Sequence, residues 1–194
     1  MKRTNLLLAL IVLLSGSVLA QYQEEINVED FDRVQLDGNI RLYLEQSPEI
    51  ELSIKAKKES YLDDYRIRVR NNVLYVQYMN DSFGSTSKLK IYLKHPELKG
   101  VKVDGLVHIN SKDPIQGKEF ALKGDGLIRG TVEVDVARLK VDLDGLCFMT
   151  FSGKADESVL RLDGLGRINA KDLETLEVSK RADGLAGIRF VSLK

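Results

Sequence analysis

From about residue 98 onward, apolar and polar residues alternate with a period of two, punctuated by a tripeptide that returns at nearly constant spacing. Asp-Gly-Leu stands at 104–106, 125–127, 144–146, 163–165 and 183–185, so successive copies begin 21, 19, 19 and 20 residues apart. When the aspartates are aligned, Val101, Val103, Val107 and Ile109 of the first unit match Leu122 and Ile128 of the second. Val141, Leu143, Cys147 and Met149 continue the same parity, followed by Leu160, Leu162, Ile168 and Ala170. Lys102, Lys123, Asp142 and Arg161 share the opposite parity with Asn110, Thr131, Thr150 and Asn169, and Lys180 breaks the pattern in the last unit. A period of two is the mark of a strand with one face buried. A strand-rich unit of about 20 residues covers its apolar face only by stacking on its neighbours, about 4.8 Å apart. The pattern therefore predicts an all-β chain built as a parallel β-helix. A leucine-rich repeat has a similar period, and Leu173, Leu176 and Val178 mimic its rhythm. The strand-like alternation of Ile168-Asn169-Ala170 and the absence of an Asn ladder favour the β-helix.

Glycine at the repeated corner permits positive φ and close backbone approach, and Asp favours turns by capping nearby amides. The Gly column falls on the inward parity, where a tight coil leaves no room for a side chain. The following Leu106, Leu127, Leu146, Leu165 and Leu185 fall on the outward parity. A kink at each Gly would turn them into the core, which is the preferred expectation. Without a kink they form an exposed ladder and a contact surface.

The front half is strand-rich but less regular. Strands are expected at 31–36, 40–44, 50–54 and 88–93, and a hairpin over 66–76 turning at Asn71-Asn72. A helical turn is expected at 57–62, and Asp37-Gly38 stands as a diverged copy of the repeated corner. The run from Asp81 to Ser87 reads as a loop, and His95-Pro96 as a solvated strand end.

Residues 1–20 read as an export signal: Lys2 and Arg3, an apolar stretch from Leu6 to Leu14, and a Val18-Leu19-Ala20 cleavage site. The stretch is too short to span a bilayer, which takes roughly 20 residues. Residues 21–194 then form a single domain without a transmembrane segment. The signal holds two of the 29 basic residues and none of the 29 acidic ones, so the exported part carries a net −2 and nothing suggests nucleic acid as a partner. The lone Cys147 excludes an intramolecular disulfide framework and reads as a small buried hydrophobe.

The order of these features resembles the "putative auto-transporter adhesin" family with its head GIN domain. The resemblance rests on Phe31-Asp32-Arg33-Val34 leading to Asp37-Gly38-Asn39-Ile40, and on the strand-rich 65–79 region with Val73-Leu74-Tyr75-Val76. Leu93-Lys94-His95-Pro96-Glu97-Leu98 then introduces the Asp-Gly units. The resemblance covers nearly all of residues 21–194. It implies an exported protein, chiefly of Gram-negative bacteria, and a right-handed β-helix. It supplies no catalytic residues.

Two outward columns are candidate sites. Asp104, Asp125, Asp144 and Asp163 would stack one coil apart, where carboxylates need amides, bases or a cation such as calcium. Turn chemistry alone also explains them. His108, Arg129, Phe148 and Arg167 form a mixed stripe suited to ligand contact, with a solvated face as the alternative. The expected function is a non-enzymatic binding or adhesion-like module, periplasmic or at the cell surface, for a glycan or an envelope protein. One rival is a polysaccharide-active enzyme using the Asp column. Another is a structural envelope protein that self-associates into a homo-oligomer through its terminal coil or the Leu ladder.

Overall fold

The computed structural model describes residues 22–80 and 88–191. The expected export signal, the loop from Asp81 to Ser87 and the last residues, Leu193-Lys194, lie outside the described residues.

The described chain is all-β. Its strands are β1 (Tyr22–Ile26), β2 (Arg33–Gln46), β3 (Glu51–Ala56), β4 (Tyr65–Arg70), β5 (Val73–Tyr78) and β6 (Leu89–His95). They continue as β7 (Gly100–Ser111), the long β8 (Ile115–Leu162), β9 (Leu165–Ala182) and β10 (Leu185–Phe190). One helical turn, α1 (Ser60–Asp63), overlaps the expected 57–62 region and runs one residue past it. All ten strands belong to one sheet, ordered β1-β3-β6-β2-β7-β8-β9-β10, with the β4–β5 hairpin attached to β2.

The rear of the sheet is parallel throughout, because each repeat pairs with the next. Gly100 pairs with Ala121, Cys147 with Gly166, and Ile168 with Ile188, each about one repeat further along the chain. The diverged corner joins the same column: Asp37 pairs with Asp104 and Gly38 with Gly105. The front of the sheet uses both directions. β3 is antiparallel to both of its neighbours, β1 and β6, while β2 runs parallel to β6 on one side and β7 on the other. The hairpin turns where expected, with Asn71 and Asn72 at φ 51° and 59°. That pair of positive angles is the type I′ geometry whose twist matches the strands it joins.

Side-chain alternation makes the core. Leu36, Ile40, Leu42, Val103, Ile109, Leu122, Ile128, Leu143, Met149 and Leu162 are all buried, in one continuous cluster that includes the large Phe120 and Phe151. Burying each such side chain contributes on the order of 2 kcal/mol, which offsets the ordering of so much extended backbone. Cys147 lies in this core as expected, and burial pushes its thiol pKa up to about 11.

Two expectations need correction. The Leu ladder is not in the core: Leu106, Leu165 and Leu185 are 50%, 47% and 82% exposed. The positive-φ Gly preserves the in–out alternation, so Gly105 holds the inward position between buried Val103 and Val107 while Leu106 must point out. His95 is not solvated. It is buried against Phe31, with ring centroids 5.1 Å apart. Its Nε2–H donates to the Phe31 carbonyl at 2.7 Å, and its Nδ1 accepts the Glu97 N–H at 3.0 Å. The covering residue lies 64 positions earlier in the chain, out of reach of any local pattern.

Candidate functional site

Parallel pairing in register turns each repeated position into a column on the outer face, with neighbours one interstrand step apart, about 4.8 Å. The Asp column is formed as expected, since Asp104 pairs with Asp125 and lies next to Asp37. Its carboxylates are turned to solvent at the corner. Asp144 accepts a 2.6 Å hydrogen bond from the N–H of Gly145, which is local turn chemistry. Partial burial, and then the neighbouring charge of Asp104, raises the pKa of Asp37. Among the described residues, no group of three or more His, Cys, Asp or Glu is arranged to hold a metal ion.

The stripe four residues further along each strand is also assembled. His108 pairs with Arg129 and Phe148 with Arg167. The link between the two pairs runs within β8. There, a Cβ on Gly145 would lie 2.6 Å from the Gly126 carbonyl oxygen, which stacks the two passes in register and brings Phe148 beside Arg129. The stripe borders two shallow grooves. One, of about 290 Å³, is lined by Phe148, Thr150, Arg167, Asn169, Lys171 and Arg189. The other, of about 300 Å³, is lined by Arg41, Lys88, Leu106, His108, Leu127 and Arg129.

Arg41 and Lys88 belong to this second groove although the repeat did not point to them. Arg41 was within reach, since it follows Asp37 by the same four residues that separate His108 from Asp104. Lys88 lies just before β6, whose position beside β2 no repeat encodes. The groove is strongly cationic. Burial and then the charges of Arg41, Arg129 and Lys88 lower the pKa of His108, so its imidazole is neutral near pH 7. Burial also lowers Lys88, followed by Arg41, Arg129 and Lys90. Among the described residues no carboxylate forms a salt bridge with Arg41, Lys88 or Arg129. Chemically, such a cleft attracts anionic groups, and the exposed Phe148 ring beside it offers an apolar face for stacking.

A family model described as "Putative auto-transporter adhesin, head GIN domain" matches residues 30–193. Among solved structures, the chain resembles a "putative adhesin" from Parabacteroides merdae at 20% identity and a TM-score of 0.75, covering 88% of this chain and 80% of that one. A "putative adhesin" from Bacteroides fragilis is similar at 15% identity and a TM-score of 0.77, with 89% and 97% covered. A "putative lipid binding protein" from Parabacteroides distasonis follows at 17% identity and a TM-score of 0.59, again with 89% and 97% covered. At these identities the likeness is one of fold. No curated protein matches the chain.

Proposed function

The chain belongs to the family of the auto-transporter adhesin head GIN domain, and we propose that it is an exported, non-enzymatic module of the bacterial envelope or cell surface that binds an extended glycan on the outer face of its parallel strands. The observation that carries this reading is the continuous in-register column of His108, Arg129, Phe148 and Arg167, bordered by two open grooves. A column repeated at the interstrand spacing suits a ligand that itself repeats. The adhesin descriptions of the family and of the similar structures support a surface role. No helix among the described residues is long and apolar enough to cross a membrane. The finer architecture we propose is a right-handed parallel β-helix, supported by pairing at one-repeat offsets and by stacked glycines from Gly38 to Gly184.

Titration of residues 21–194 against a panel of bacterial and host polysaccharides tests the reading. Saturable binding without shortening of the glycan is expected, with loss of binding in Arg129→Ala and Arg167→Ala. Chain shortening would move the protein to the enzyme class, with the Asp column as the place to look. A blank across the panel would overturn the glycan reading.

A further inference from the structure

The cationic stripe does not end at His108. Following the pairing toward the front of the sheet, His108 lies beside Arg41, Arg41 beside Lys90, and Lys90 beside Lys55. In the other direction Arg129 is followed by Phe148 and Arg167. Lys55, Lys90, Arg41, His108, Arg129, Phe148 and Arg167 thus form a single row perpendicular to the strands, built from parallel and antiparallel pairings alike. All share the outward parity, because the residues flanking them on β2, β3, β6 and β7 are buried. Six interstrand steps make the row on the order of 30 Å long.

Charge compensation differs sharply between this row and its neighbours. Among the described residues none of Lys55, Lys90, Arg41, Arg129 and Arg167 has a carboxylate within salt-bridge distance. Lys55 instead lies over the Tyr92 ring, 4.8 Å from its centroid. Two rows away the acids have their own cations, Glu51 with Lys94 at 2.8 Å and Glu45 with Lys112 at 2.9 Å. Between these lies a polar, aromatic row: Tyr92 stacked on Tyr43 at 4.9 Å, followed by Asn110 and Thr131. On the opposite flank run the exposed Leu ladder and then the Asp column, four residues and about 13 Å from the cations.

We infer that this row is a binding track for a linear acidic polysaccharide, with carboxylates or sulfates at Lys55, Lys90, Arg41, Arg129 and Arg167 and sugar hydroxyls on the Tyr92–Tyr43–Asn110–Thr131 row. The inference rests on the glycan-binding reading and names the class of glycan. Its width selects the ligand: a single anionic chain fits between the flanking acids, whereas a broad anionic surface such as a bilayer would be brought against the Asp column. The overall balance of 29 basic and 29 acidic residues disfavours a nucleic-acid duplex for the same reason. The exposed Phe148 suits the apolar face of a sugar ring better than it suits a phosphate backbone.

Matched polymers test the track on residues 21–194: polygalacturonate against its methyl ester, and dextran sulfate against dextran. At least one charged member is expected to bind about tenfold or more tighter than its neutral partner, weakening as salt rises and the charges are screened. Arg41→Glu and Lys90→Glu, both on the row, should each weaken that binding about tenfold, and the exposed, off-row Lys140→Glu should leave it unchanged. Equal binding of charged and neutral members would overturn the acidic track and leave glycan binding standing. Failure of all four polymers alongside a hit on the wider neutral panel would do the same, and failure everywhere would remove both readings. Equal or tighter binding to single-stranded DNA or to phosphatidylglycerol vesicles would also overturn it, as would insensitivity of wild-type binding to salt.

Discussion

At Gly126 the backbone φ of +116° and the carbonyl oxygen of Gly105 act together against any side chain. A Cβ there would overlap that oxygen, and the neighbouring backbone is held in place by the next glycine in the column. Gly126→Ala should therefore cost about 3 kcal/mol or more, combining left-handed strain with a clash that only a shift of the stacked strands relieves. Gly187 is the internal control: it has nothing within 4 Å of where a Cβ would stand. Gly187→Ala should be nearly silent in the same denaturant titration, and equal costs at the two sites would contradict the stacking explanation. His95 carries the second residue-scale prediction. Burial lowers its pKa more than the Phe31 carbonyl and the charges of Asp32, Glu97 and Asp30 raise it. The unfolded chain therefore takes up this proton first, so His95 favours the fold fully above about pH 6.5 and progressively less as pH falls below it. His108 is shifted in the same direction and adds to the slope. The unfolding midpoint should drop between about pH 7.5 and 5.5, less steeply in His95→Gln. A flat profile in the wild-type chain would refute the assignment.

β2 is the element on which the molecule turns from mixed to parallel pairing. Its first part pairs with β5 and its second with β6, while its other edge carries β7 along most of its length. The Asp-Gly corner within β2 seeds the glycine column, and the hydroxyl of the buried Tyr65 fixes it, donating to the Asn39 carbonyl at 3.1 Å and accepting the Asn39 N–H at 3.2 Å. The strands behind it were legible because each position's partner is one repeat away, so alignment of the repeat is already the register. The position of β6 was not legible. Lys90 meets Arg41 only because β2 is flanked by both β6 and β7, and no local feature of either segment encodes that choice. The Leu ladder gives a direct test at this scale. Leu146 is 36% exposed, so Leu146→Lys should change the stability of the monomer by no more than about 0.5 kcal/mol. A loss of several kcal/mol would return these leucines to the core.

Across the whole molecule, burial declines toward the last strands. Leu176 is 85% exposed, and Val178, Leu185 and Val191 are also open to solvent, although Leu185 pairs with Leu165. In a stack where each unit is held by its neighbours, a unit covered on one side opens at lower free energy than one covered on both. Amide hydrogen exchange should therefore be fastest in β10 and the later part of β9, and slowest in β7 and the middle of β8. Uniform protection along the parallel strands would contradict this gradient. Among the described residues β10 pairs only with β9, and an open strand edge is the feature that the self-association alternative would require.

The sequence by itself determined the parallel strands, the inward columns, the burial of Cys147 and the assembly of the Asp and His108–Arg129–Phe148–Arg167 columns. It could do so because a repeat writes the same physical requirement at every period, and neighbouring copies satisfy it for one another. The tertiary structure decided what lies between unlike segments. It buried His95 beneath Phe31, kept the Leu ladder in solvent, and aligned Lys55 and Lys90 with Arg41. Those outcomes depend on strands far apart in the chain choosing each other for packing, and on the direction a strand takes through a glycine with positive φ. Neither is recorded in the residues on either side.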